Sequence, residues 1–161
     1  MAHTRDAIDT LRGYYYQFDY FILNLLTIDN DDTVTLVGIE DVDIKTATET
    51  TAVQCKYYAG TEYNHSIIAK PIQQMLHGFT HNGNKLKYKL YGSYKSGTNK
   101  LVLPLTLDFV KEHFLTYSSK GTQHEFHIDE GISDDQITDF INNLKIDINA
   151  VSYEQQEKKC L

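Results

Sequence analysis

The spacing of apolar residues changes from a helical pattern to a strand pattern along the first half of this 161-residue chain. Residues 4–28 carry apolar side chains at the three- and four-residue intervals of a helix. These residues are Ile8, Leu11, Tyr15, Phe18, Ile22, Leu25 and Leu26. We predict a long helix there, with Thr4 as its N-cap. Residues 33–39, 40–44 and 50–58 instead alternate or are rich in β-branched side chains, which predicts three short strands that form a meander packed on that helix.

The rest of the chain continues to mix helical and strand patterns. Apolar spacing predicts a second helix over 65–81, with Pro71 inside it, and a fourth strand over 87–94. The later predictions are a short helix capped by Thr106 or Asp108, a strand over 122–128, a helix from Ser133 to Leu144, with Ser133 as its N-cap, and the start of a last helix near Ala150. We therefore predict an α/β fold in a single domain, with a core over about residues 4–95 and a C-terminal elaboration over 100–161.

Composition limits the class of protein. Apolar residues make up 41% and charged residues 23% of the chain, which is enough to fill a hydrophobic core. No apolar run approaches the ~20 residues that a membrane-spanning helix requires. The two cysteines, Cys55 and Cys160, lie far apart in the sequence, so a disulfide framework and a cysteine zinc site are excluded. We expect a soluble protein of a reducing compartment, without a membrane partner.

Two short polar clusters carry the candidate chemistry. Glu40, Asp41 and Asp43 lie within an alternating strand pattern, and Gln54 and Lys56 share one face of a later strand. If these strands pair, Asp41 or Asp43 faces the other cluster. Carboxylates beside a lysine suit metal-assisted attack of water on a phosphodiester, because Mg²⁺ prefers oxygen ligands. The alternative is an exposed strand face that carries ordinary surface charge.

These clusters, together with the Gly-Tyr-Tyr-Tyr-Gln sequence of residues 13–17, resemble the PD-(D/E)XK nuclease superfamily. Within it, the chain is similar to the nuclease domains at the N-termini of bacterial anti-phage effectors, such as the CD-NTase-associated (CBASS-type) double-stranded DNA endonucleases. The resemblance covers residues 8–95 and, more weakly, 133–144. The Gln-x-Lys sequence of Gln54 and Lys56 replaces the commoner acid-x-Lys ending.

The resemblance implies a restriction-endonuclease-like α-β-β-β-α-β core with a mixed central sheet flanked by helices. It implies cleavage of double-stranded DNA with little sequence specificity, in the bacterial cytoplasm, with Mg²⁺ or alternatively Mn²⁺ as cofactor. The implied metal-binding residues are Asp41, Gln54, Asp43, Glu40 and Gln17. Asp41 is the expected metal ligand of the second strand, Gln54 takes the place of the second acid, and Lys56 orients water or stabilises the pentavalent phosphate.

An acidic chain needs a local basic surface to bind DNA. The net charge is −7, yet residues 85–100 contain five lysines and no acid. The expected DNA-binding residues are Lys70, Lys85, Lys87, Lys89 and Lys95. Alternating lysines would line one face of a strand, which Tyr91 continues. The alternative is that these lysines protect an edge strand against aggregation.

Other functions and partners stay open at this stage. One alternative is a protein that keeps this fold but is a catalytically silent interaction module. A second alternative is a nuclease whose substrate is RNA instead of DNA. Because a double-strand break needs two active sites or one site used twice, we expect a homo-oligomer. Relatives usually continue into a sensor, ATPase or oligomerising region, so a sensor or ATPase partner is also expected.

Overall fold

The chain folds into a five-stranded mixed sheet flanked by helices, in a computed structural model that describes residues 2–81, 83 and 86–160. In chain order the elements are α1 (Ala2–Leu25), β1 (Thr33–Leu36), β2 (Val42–Lys45), β3 (Thr50–Glu62), α2 (His65–His81), β4 (Leu86–Ser96), α3 (Leu107–His113), β5 (Thr116–Ser119), β6 (Thr122–Glu125), α4 (Phe126–Asp129), α5 (Asp134–Asn142), β7 (Leu144–Asp147) and α6 (Tyr153–Cys160). None of the described helices is long and apolar enough to cross a membrane.

The strand order of the central sheet is β1-β2-β3-β4-β7. The first three strands pair antiparallel, which confirms the predicted meander, whereas β3, β4 and β7 run parallel. Helix α2 connects the parallel neighbours β3 and β4, as a parallel pair requires a crossover. Strands β5 and β6 form a separate hairpin. The prediction of an α/β fold is confirmed.

Alternation along β3 divides the hydrophobic core between the two faces of the sheet. Val53 and Cys55 are buried in a cluster with Tyr16 and Tyr20 of α1. Ala52, which points to the other face, belongs to the larger cluster that α2, α3 and α5 form. Helix α1 therefore covers one face of the sheet, and the face that carries Ala52, Gln54 and Lys56 is the α2 side.

The apolar residues whose spacing predicted α1 do not face the sheet. Tyr16 is fully buried and Tyr20 nearly so, while Leu11, Tyr15 and Phe18 on the other side of the helix are about half exposed. The helix begins at Ala2, before the predicted N-cap Thr4, and ends at Leu25. The predicted helix is confirmed, but a second apolar face packs it onto the meander.

The C-terminal third differs most from the sequence prediction. Thr106 caps α3, and Ser133 caps α5 by accepting a hydrogen bond from the Gln136 N–H, as predicted. The predicted strand over 122–128 ends at Glu125, where α4 begins. Strands β5 and β7 were not predicted. Since β7 pairs with β4, part of the expected C-terminal elaboration belongs to the central sheet.

Candidate active site

The pairing of β2 with β3 brings Asp41 to the Gln-x-Lys sequence. Val42 lies opposite Val53, so Asp41, the residue before β2, comes next to the following residues of β3. Its Oδ2 accepts a hydrogen bond of 2.8 Å from the backbone N–H of Cys55. Because Gln54 and Lys56 flank Cys55, this hydrogen bond ties the Asp41 carboxylate to the part of β3 that carries both residues.

Asp43, the alternative to Asp41 as the metal ligand, stabilises the turn that leads into β2. Its carboxylate accepts hydrogen bonds from the backbone N–H groups of Ile39 and Glu40. A Cβ on Gly38 would lie 2.0 Å from Asp43 Oδ2, so glycine is needed for this close approach. The same turn contains Val37 at a positive φ of 57°. The Asp43 carboxylate thus has a structural task, and a metal-binding role for it stays a prediction.

Gln54 links the site to Glu40 and leaves one of its own atoms without a partner. Its Nε2 donates a hydrogen bond of 3.2 Å to Glu40 Oε2. Its Oε1 is buried and has no hydrogen-bond partner among the described residues. A buried polar atom without a partner is costly, and such atoms are rare in native proteins. The Gln54 carbonyl oxygen is therefore a free acceptor for a ligand or cation.

Lys56 lies half-buried beside the two carboxylates. Within the part of the chain that the structure describes, no hydrogen bond or ion pair occupies its ammonium group. In the β3–β4 register it lies opposite Gly92, where a Cβ would come within 2.8 Å of the Tyr94 ring. Gly92 was not among the predicted site residues, although a glycine inside a strand pattern is a known sign of close approach.

The two carboxylates of the site resist ionisation. The pKa of Glu40 is raised to about 7, mainly by burial and also by the charges of Asp41 and Asp43, while the charge of Lys56 acts in the opposite direction. Burial also raises the pKa of Asp41, against the Cys55 N–H and Lys56, which favour its charged form. Partly buried like charges are stabilised by a cation placed between them.

The donor set fits Mg²⁺ better than a transition metal. Among the described residues, no three or more His, Cys, Asp or Glu side chains are grouped closely enough to hold a metal ion. Glu40 and Asp41 instead offer carboxylates, and Gln54 offers its unpaired amide oxygen. Mg²⁺ commonly takes one or two protein carboxylates and keeps several waters. We take these three residues as the candidate metal ligands.

Gln17 is not brought to this group. It lies in the middle of α1, next to the buried Tyr16, and α1 covers the face of the sheet opposite to Gln54 and Lys56. None of the hydrogen bonds between described residues joins Gln17 to Asp41 or to the Gln-x-Lys sequence. A metal-binding role for Gln17 stays a prediction without structural support.

The predicted DNA-binding lysines are dispersed. Lys87 forms an ion pair with Glu49, and Lys89 donates a hydrogen bond of 3.3 Å to Tyr20 Oη. Since Lys89 lies opposite Val53, its side chain is on the α1 side of the sheet, away from Lys56. Lys70 on α2 and Lys95 on β4 are exposed, and Lys85 lies outside the described residues. The DNA-binding role of all five remains a prediction.

No family model, no curated protein and no solved structure matches this chain.

Proposed function

We propose that this chain is a Mg²⁺-dependent endodeoxyribonuclease that hydrolyses phosphodiester bonds of double-stranded DNA with little sequence specificity. The observation that carries the proposal is the hydrogen bond of 2.8 Å from the Cys55 N–H to Asp41 Oδ2, which ties this carboxylate to the strand residue flanked by Gln54 and Lys56. An acid, a second oxygen donor and an unpaired lysine are thereby adjacent, as hydrolysis of a phosphodiester requires.

The topology supports a restriction-endonuclease-like core. Helix α1 precedes the antiparallel strands β1, β2 and β3, and α2 then leads to β4, which lies parallel to β3. This is the order α-β-β-β-α-β that the resemblance implies. The candidate residues lie just before β2 and within β3, the positions that the resemblance implies for the PD-(D/E)XK motif.

Each side chain has a distinct role in the proposed mechanism. Bound Mg²⁺ would polarise the scissile phosphate and lower the pKa of a coordinated water. Asp41 presents its second carboxylate oxygen while Oδ2 stays tied to β3. Glu40 accepts the Gln54 amide N–H and so fixes the orientation of the amide, whose oxygen is left as the acceptor for a ligand. Lys56, free of an ion pair among the described residues, stabilises the negative charge that develops on the phosphate.

The direct test is incubation of the protein with supercoiled plasmid in Mg²⁺ and, separately, in EDTA. We expect nicked and linear products in Mg²⁺ alone. Asp41→Asn should abolish cleavage while its circular dichroism matches the wild type, since an amide oxygen can still accept the Cys55 N–H. Asp31→Asn, in the exposed turn after α1, is the matched control and should cleave normally. Cleavage in EDTA or by Asp41→Asn would overturn the proposal.

The same experiment separates the other candidate functions. Cleavage of RNA but not of DNA would replace the substrate with RNA. No cleavage, together with no heat of Mg²⁺ binding in calorimetry, would indicate a catalytically silent module. The associated proposals, a bacterial anti-phage role in the cytoplasm and a sensor or ATPase partner, derive from the resemblance and depend on the nuclease activity.

A further inference from the structure

Helix α1 carries a continuous apolar stripe on its outer side. Its members are separated alternately by three and four residues, and each is between 37% and 56% exposed. They are Ile8, Leu11, Tyr15, Phe18, Ile22 and Leu25. Tyr14 and Leu26 border the stripe and are also exposed. Large contiguous apolar patches of this kind are rare on monomeric proteins and usually mark an interface.

This stripe is separate from the face that holds α1 in the fold. Tyr16 packs its ring against Tyr57 and Tyr91, and Gln156 of α6 donates a hydrogen bond of 2.6 Å to the Tyr16 carbonyl oxygen. The helix is thus apolar on two opposite sides, of which the sheet and α6 cover one. The apolar stripe of a helix normally packs against another element, so the uncovered outer stripe suits a partner.

The spacing of the stripe indicates another helix as that partner. Alternate intervals of three and four residues are the a and d positions of a heptad, whose seam packs side by side against a second such seam. Three a/d pairs, spaced at intervals of 3, 4, 3, 4 and 3 residues, are present between Ile8 and Leu25. A sheet or a loop would not require this 3.5-residue period.

The order of residue types along the stripe indicates that the partner helix is a second copy of α1. A two-fold axis that crosses the helix between Tyr16 and Gln17 would place two antiparallel copies in matching layers. In those layers Ile8 meets Leu25, Leu11 meets Ile22, and Tyr15 meets Phe18. Aliphatic residues therefore meet aliphatic residues at the ends, and aromatic residues meet in the centre. A heterologous partner would not need this symmetry.

The available area is sufficient for a dimer. Eight side chains, each about half exposed, would remove roughly 700 Å² of apolar surface per copy, against ~800 Å² per partner in interfaces of standard size. We propose that α1 is a dimerisation helix that pairs antiparallel with α1 of a second copy. This inference is independent of the proposed nuclease activity.

The first test measures mass by sedimentation velocity over a range of concentrations. We expect the wild type to have twice the monomer mass of 18.5 kDa. Leu11→Glu/Ile22→Glu should raise the dissociation constant at least ~100-fold, since charged groups would be buried in the seam. Val102→Glu/Ile128→Glu, at two exposed apolar positions outside α1, is the matched control and should remain dimeric.

The second test fixes the orientation by cross-linking with a short bismaleimide, in a Cys160→Ser background. Leu11→Cys and Ile22→Cys are prepared as separate proteins. In the antiparallel pair, two copies of one position lie about 16 Å apart along the axis, whereas positions 11 and 22 adjoin. We expect cross-linking in the mixture and not in either variant alone. A monomeric wild type at about 100 µM, a dimeric Leu11→Glu/Ile22→Glu, or cross-linking of either cysteine variant alone would overturn the proposal.

Discussion

Lys56 and Lys89 lie on neighbouring strands of one sheet but point to opposite faces, where their ammonium groups have different surroundings. Lys89, on the α1 side, donates a hydrogen bond to Tyr20 Oη, and its ammonium lies 5.4 Å and 4.9 Å from the ring centroids of Tyr20 and Tyr91. Lys56, on the α2 side, has no such partner among the described residues. Its neighbours are two carboxylates with raised pKa values and an amide oxygen without a donor.

The difference separates a polar group that the fold pairs from one that has no such partner among the described residues. The lysine-rich segment 85–100 is the more conspicuous feature of the sequence, yet Lys87 forms a surface ion pair with Glu49 and Lys89 donates a hydrogen bond to Tyr20. In the shorter cluster around Asp41, the Gln54 amide oxygen and the Lys56 ammonium group have no hydrogen-bond partner among the described residues. Perturbed, incompletely satisfied groups at a partly accessible position are typical of sites that a ligand completes.

The largest expected effect is a difference in the rate of plasmid nicking between variants of the two lysines. We expect Lys56→Met to reduce the rate of plasmid nicking at least ~100-fold, because the charge that stabilises the reacting phosphate is lost. Lys89→Met should keep the rate within about twofold of the wild type, since Lys89 lies on the other face. Initial rates in Mg²⁺ measure both. Equal losses in the two variants would contradict the comparison.

The two aspartates should differ in stability. Asp43→Ala should lower the free energy of unfolding by about 1–2 kcal/mol, because two N–H groups of the turn lose their acceptor. Asp41→Asn retains an acceptor for Cys55 and should unfold at the wild-type urea concentration. Urea titration followed by circular dichroism measures both. If Asp43→Ala were as stable as the wild type, the structural role of Asp43 would be wrong.

On the α1 side, a tyrosine should matter for stability alone. The Tyr16 hydroxyl donates a hydrogen bond of 2.8 Å to the Val151 carbonyl oxygen, and burial raises the pKa of this phenol. We expect Tyr16→Phe to cost about 1 kcal/mol of stability without changing the nicking rate. A lower nicking rate at full stability would indicate that this face takes part in the reaction.

The smallest effect concerns the pH dependence of stability without metal. The pKa of Glu40 is about 7 in the fold, above its ordinary value of 4.5, so the folded state retains a proton that the unfolded chain releases. The wild type therefore loses stability as the pH rises through this interval. Glu40→Gln should raise Tm at pH 8 in EDTA by about 2 °C, after allowance for its partial exposure, and leave Tm unchanged at pH 4.

Glu112→Gln, at an exposed position of α3, controls for the loss of one acidic charge. Its Tm should follow the wild type at both pH values. An equal rise in the two variants at pH 8 would assign the effect to net charge and not to the site.

Local signals in the sequence predicted the elements that depend on local physics. Helix α2 was placed at its observed bounds by its apolar spacing, and Thr106 and Ser133 were recognised as caps. Strand β7 carries no comparable signal, because its four residues are ordered by parallel pairing with a strand more than 50 residues earlier. The β5–β6 hairpin had a missed signal in Lys120 and Gly121, whose positive φ values of 50° and 81° suit a tight hairpin turn.

The sequence was enough to predict the residues of the site, but not which aspartate lies beside Gln54 and Lys56. Strand alternation was enough to place Gln54 and Lys56 on one face. Whether Asp41 or Asp43 joins them depends on the turn over 37–41, whose hydrogen bonds engage Asp43. The face of α1 that packs on the sheet was equally undetermined, because both sides of the helix are apolar and tertiary contacts decide between them.

The orientation of β3 has a consequence for how a duplex would be broken. Val53 and Cys55 point to α1, so Gln54 and Lys56 point the opposite way. Two molecules joined through their first helices, as we propose, would turn their candidate sites on the α2 side away from each other. One stretch of duplex would then contact one candidate site at a time, and each strand would be cleaved in a separate binding event. Open circles should then accumulate before full-length linear plasmid forms.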